Sequence, residues 1–127
     1  MGQFFRLKTA QLLFEKLTRD LACLESWQND ADMAFNFFVT ADAILEWLYP
    51  GPAGRQQRED LRNDPVLDVV WDVASGATPL EVKRGDAPPQ AVLSVDLTGR
   101  AAQKYGARVS AIDLARLVHA YWKTQFP

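Results

Sequence analysis

"FNFFVTADAILEW", Phe35 to Trp47, is the stretch on which the fold turns. It is apolar almost throughout, yet Asn36, Thr40, Asp42 and Glu46 interrupt it at helical spacing. On a wheel at about 100° per residue, Met33, Ala34, Phe37, Phe38, Ala41, Ile44, Leu45 and Leu48 fill one continuous arc. Asp32, Asn36, Thr40, Asp42 and Glu46 lie on the other. The spacing predicts an amphipathic helix whose polar row is its water side. It ends at Tyr49-Pro50-Gly51-Pro52, where proline cannot continue the hydrogen-bond ladder. One row is left over: Phe35, Val39, Ala43 and Trp47, four apart, run through the polar side. An apolar arc of about 160° already serves the core, so this second row needs a cover of its own. Two covers are available, the mid-chain segment 79–97 or a second molecule. The expectation is a homodimer, or another protein partner, with Phe35 and Trp47 as aromatic anchors and small Ala43 admitting the partner's backbone.

The neighbouring segments supply that helix with companions. Residues Gln3 to Ser26 form the first helix, with Leu7, Ala10, Phe14, Leu17, Leu21 and Leu24 stepping by three and four. "WQNDAD" breaks the pattern, with Asn29 or Asp30 as N-cap of the second helix. Residues 53 to 63, "AGRQQREDLRN", are charged and helix-permissive. Asp64-Pro65 caps and opens a third helix, "VLDVVWDVAS", stopped at Gly76. Its valines leave a buried strand as a rival reading. "PLEVKR" and "AVLSVDL" flank "GDAPPQ" and read as two short strands joined by a loop. "LTGRAAQKYG" reads as a helical turn capped by Thr98 and stopped at Gly106. The last helix opens at Ser110, with Asp113 three residues on, and runs to about Gln125. Ala111, Leu114, Ala115, Val118, Trp122 and Phe126 share its apolar arc. The fold class is therefore mostly α in a single domain, residues 1–127. The architecture is a four-helix up-and-down bundle with a short β-like excursion between helices three and four. A bundle with two parallel strands is the runner-up.

Composition excludes more than it assigns. The chain has 127 residues, 48% apolar and 24% charged, with a net charge of −2. That balance lacks the cationic surplus with which most nucleic-acid binders neutralise phosphates. A single cysteine, Cys23, rules out an internal disulfide. No apolar run reaches the length of a membrane span, and "MGQFFRLKTAQ" has no signal-peptide core, so the protein is read as cytoplasmic.

Chemistry-bearing residues are sparse. His119 is the only histidine and lies at the edge of the last helix's apolar arc. With Arg116 it forms Arg-x-x-His, a pair able to approach a phosphodiester. Against that stands a packed edge histidine beside a surface arginine. Asp42 with Glu46, and Asp68 with Asp72, are carboxylate pairs one turn apart, either a raised-pKa acid or a solvated face. No second histidine completes a metal pair, and the glycines spell no phosphate loop, so neither a metal nor a cofactor is expected.

"AFNFFVTADAILEWLYPG", "VVWDVASGAT" and "LSVDLTGRAAQKYG" resemble a group of small bacterial helical proteins whose layout is similar to HEPN-type four-helix domains. Members carry Phe-Val-Thr-Ala, an acidic residue and a histidine, then an acidic residue and Trp. Phe38, Val39, Thr40, Ala41, Asp42, Glu46 and Trp47 match, while Ala43 holds the histidine position. A second pattern, Asn-Gly-x-Lys-His, stands here as Ser75-Gly76-Ala77-Thr78-Pro79. HEPN ribonucleases space an arginine and a histidine by four to six residues, whereas Arg116 and His119 are separated by two. The resemblance implies a bundle and a place in bacterial defence or toxin–antitoxin systems. The missing histidines favour a non-catalytic protein-interaction module. The alternative is a divergent HEPN-like nuclease or nucleotide-binding enzyme using Arg116, His119, Asp42 and Glu46.

Overall fold

The structure, a computed structural model, describes the backbone of residues 2–84 and 91–126; the loop expected at "GDAPPQ" lies outside them. The elements in order are α1 (Gly2–Ser26), α2 (Ala31–Leu48), a 3₁₀ turn (Pro52–Gly54), α3 (Arg55–Leu61), α4 (Pro65–Ala74), β1 (Glu81–Arg84), β2 (Ala91–Asp96), α5 (Gly99–Tyr105), β3 (Arg108–Ser110) and α6 (Ala111–Lys123). The chain is mostly helical with one small sheet. α1, α2, α4 and α6 correspond to the four expected helices. The charged stretch after α2 and the "LTGRAAQKYG" turn become the short helices α3 and α5. α2 packs against α1, α4 and α6, and α1 also touches α6.

The core follows the periodicities. Ala10, Leu17 and Leu24 of α1, seven apart, are fully buried, with Phe14 and Leu21 half-buried beside them. Ala34, Phe37, Phe38, Ala41, Ile44 and Leu45 are the buried arc of α2. Val66, Leu67, Val69, Val70 and Val73 bury α4, which is a helix and not the rival strand. Ala111, Leu114, Ala115, Val118 and Trp122 bury α6. The caps are largely where the sequence places them. Asp30 Oδ1 accepts from Met33 N–H, Asp64 Oδ1 from Val66 N–H and Ser110 Oγ from Asp113 N–H. Thr98 precedes α5, but its side chain makes no cap bond.

The α2–α3 corner is built on close backbone contact. A Cβ at Gly54 would stand 2.2 Å from the Tyr49 carbonyl oxygen, so only glycine fits there. Arg58 Nη1 donates to the carbonyl of Tyr49, the C-cap of α2, and to that of Gly51, placing a cation at the C-terminal end of α2.

The sheet is antiparallel, in the order β1-β2-β3, and this corrects the parallel alternative. Its third strand, Arg108–Ser110, was not expected: three residues between Gly106 and a helix cap carry too little alternation to read. β2 pairs with β1 from Ala91 to Ser94 and with β3 from Ser94 to Asp96. The stretch of β2 that β3 does not reach is completed by a side chain. Asn29, in the α1–α2 turn, donates Nδ2 to the Ala91 carbonyl at 2.7 Å and accepts from Leu93 N–H at 2.8 Å. One amide thus does the work of a strand residue and ties the sheet to the helices.

Asn29→Ala leaves the Leu93 N–H and the Ala91 carbonyl without these partners. Unfolding free energy from urea titration is expected to fall by about 1–3 kcal/mol. An unchanged midpoint would show that the sheet is held without this amide.

Candidate functional site

The polar row of α2 is its water side only in part: Asp32, Asn36 and Glu46 are exposed as the wheel expects, whereas Thr40 and Asp42 turn inward, which corrects the expectation at those two positions. Thr40 is 5% exposed and faces α1. Its hydroxyl accepts from Lys16 Nζ at 3.0 Å and stands 3.0 Å from the Asn36 carbonyl and 3.3 Å from Asp20 Oδ2. Lys16 also pairs with Asp20 at 2.7 Å, and Asn36 Nδ2 donates to the same carboxylate at 3.4 Å. These four side chains form a polar clasp across the α1–α2 seam.

On the other flank, Arg62 Nη2 donates to Asp42 Oδ1 at 3.0 Å, with the two side chains 15% and 13% exposed. The guanidinium lies 4.2 Å from the centre of the Trp71 ring, so one arginine links α2 to α4. Burial pushes the Asp42 carboxyl above the usual range despite the opposing pull of Arg62, and Glu46 adds repulsion in the same upward sense. Neither Lys16 and Asp20 nor Arg62 and Trp71 stood out in the sequence, because their partners lie on other elements at no fixed spacing.

With Thr40 turned to one seam and Asp42 to the other, about 160° apart on the wheel, the row between them faces out. Phe35 is 44% exposed, Val39 40% and Trp47 43%, with Ala43 half-buried among them. The described part of segment 79–97 therefore does not cover it. Glu46 and Asp32 are exposed on the same face. A shallow hollow of about 320 Å³, lined by Glu46, Trp47, Pro50 and Gly51, ends the row. Three large exposed apolar side chains in one helical ridge, framed by carboxylates, form the candidate site.

The candidate catalytic residues are not brought together. His119 stacks on Phe14 with ring centres 5.1 Å apart, and its Nε2 is 2.9 Å from Thr18 Oγ1. Thr18 Oγ1 also stands 3.1 Å from the Phe14 carbonyl, so the imidazole is engaged within the α1–α6 seam by stacking and by this hydroxyl. Arg116 reaches Glu25 of α1 and Asp113 of its own helix, each at 3.4 Å. Asp42 is bound to Arg62, and Glu46 stands at the hollow. Asp68 and Asp72, with Asp96, line a separate cleft of about 30 Å³. There burial, then Asp68, raises the Asp72 carboxyl, while Asp96 is paired with Arg108 at 3.0 Å. Among the described residues no group of three or more His, Cys, Asp or Glu is arranged to hold a metal ion. No helix among them is long and apolar enough to cross a membrane. Comparison of the chain with models of known families, with curated proteins and with solved structures finds no match.

Two outcomes follow from these placements. Asp42→Ala strands a largely buried guanidinium and is expected to cost about 3 kcal/mol in chemical denaturation; a loss below about 0.5 kcal/mol would place the pair in effective contact with solvent. His119 is held below its usual 6.5 by burial and, second, by Lys123, with Glu25 opposing. The unfolded chain then binds the proton more readily. The His119 contribution is full above pH 6.5 and is lost as pH falls below it, through the lowered folded value. Urea midpoints measured downward from pH 7 should decline, and His119→Gln should decline less. Parallel profiles would remove His119 from the pH dependence.

Proposed function

We propose that the protein is a non-catalytic interaction module that docks another protein surface on the outward ridge of α2. The observation that carries this reading is the exposure of Phe35, Val39 and Trp47 in one row of a helix whose opposite arc is core. Scattered single apolar residues are ordinary on a surface, but a contiguous row with two aromatics is what interface centres use. The polar groups beside the ridge support it as well. Thr40 and Asp42 are engaged inside the fold and do not hydrate the row, and exposed Asn36 is tied to Asp20 of α1. A twofold homodimer is the smallest assembly that covers the ridge, and a different protein is the other. The pairings among α1, α2, α4 and α6 support the four-helix, HEPN-like arrangement that the sequence resemblance implies. The same resemblance supports a setting in bacterial defence or toxin–antitoxin function.

Val39→Glu and Ala43→Arg place charge on the ridge and not in the core. Val39→Glu is expected to fold with stability within about 0.5 kcal/mol of the parent, as other exposed substitutions do, and Ala43→Arg, at a half-buried position, within about 1 kcal/mol. Each should also abolish association, read by sedimentation of the protein alone and by recovery of bound partner from its native cell extract. Both variants associating as the parent does would overturn the reading.

A further inference from the structure

We infer that the α2 ridge receives a cationic amphipathic helix of a different protein, not a second copy of this chain. The inference rests on the interaction-module reading and names its partner by charge. α2 contains no lysine or arginine; its charged residues are Asp32, Asp42 and Glu46. Asp42 is neutralised by Arg62. Asp32 and Glu46 are exposed and form no ion pair among the described residues. The ridge is thus an apolar row with a carboxylate outside any ion pair toward each end, and the nearby Arg58 is spent on the Tyr49 and Gly51 carbonyls. Laying a second α2 on it would gather four such carboxylates around one buried strip, with no cation from either helix to offset them. Complementary charge at an interface rim steers docking, and like charge opposes it.

The shape of the ridge narrows the partner further. Phe35 to Trp47 is one i±4 row about 18 Å long at about 1.5 Å per residue, the length of three to four turns of a facing helix. Rows of this kind interlock with a similar row at about −50°. Ala43, small and half-buried between Val39 and Trp47, leaves a notch for one large aliphatic side chain. At the C-terminal end, the hollow of Glu46, Trp47, Pro50 and Gly51 sets a carboxylate beside an indole. That pairing suits a lysine or arginine, which gains an ion pair and a ring face together. Arg58, engaged with the Tyr49 and Gly51 carbonyls, already holds this corner in place. The partner expected is an amphipathic helix with an aliphatic row flanked by basic residues, the mode in which one helix lays its apolar side along a groove.

The test uses the full chain, labelled with ¹⁵N, and two synthetic 18-residue helices. One carries leucines at helical spacing with lysines elsewhere, and its twin has glutamates in place of the lysines. The lysine helix is expected to bind roughly tenfold or more tightly than its twin. Amide shifts should concentrate between residues 32 and 51 and at the Trp47 indole. Asp32→Lys with Glu46→Lys should reverse the preference, and Val39→Glu should abolish binding to either. Equal binding of the twins, shifts centred elsewhere, or no response to the double charge reversal would overturn the inference. A parent that sediments as a dimer dissociated by Val39→Glu, and that the lysine helix does not displace, refutes this partner while sustaining the module reading. A Val39→Glu variant that loses neither self-association nor peptide binding refutes both.

Discussion

α2 is a cylinder about 10 Å across, and only a limited number of helices fit around it. α1, α4 and α6 occupy that space. Its sequence, however, places large apolar groups over more of the circumference than those neighbours can cover. Phe37, Phe38, Ile44 and Leu45 go inside, and Phe35, Val39 and Trp47 stay outside. The fold is the outcome of that excess: the inner arc organises the core, and the outer one remains as a surface that water solvates poorly.

The division is enforced by polar groups. A helix apolar over so much of its surface has several nearly equivalent rotations about its own axis. Thr40, held by Lys16, Asp20 and the Asn36 carbonyl, permits one rotation against α1. Asp42, held by Arg62, permits the same rotation from the other flank. Neither contact adds much net stability, since each ion must first be desolvated. Rotating the helix by one residue would strand both, and that penalty selects the orientation. The position of the exposed ridge is therefore set by two clasps on either side of it.

Helix positions and most caps were legible in the sequence because they depend on near neighbours. Leu17 and Leu24, Asp30 and Met33, and Ser110 and Asp113 all lie within two turns of one another. On a wheel a polar side chain counts as exposed whether it meets water, as Asp32, Asn36 and Glu46 do, or another polar group. Thr40 and Asp42 meet other groups, and Lys16 and Arg62 are 24 and 20 residues away in the chain. β3 was missed for a related reason: three residues form a strand only because β2 is there to pair with them. The apolar row Phe35, Val39, Ala43 and Trp47 was legible as a row, and its exposure became visible only once its neighbours had places.

The Asn29 bridge bears on the order in which the molecule assembles. β1 and β2 pair through residues 10 or so apart, and α1 and α2 are joined by a short turn, so each unit can form locally and early. The amide of Asn29 meets β2 across 62 and 64 residues of chain. Closing a loop of that length costs entropy that no single pair of hydrogen bonds repays. The hairpin and the helical pair would thus meet as preformed pieces, with the bridge among the last contacts made. Losing it would then be felt chiefly as faster unfolding, with the rate of folding little changed.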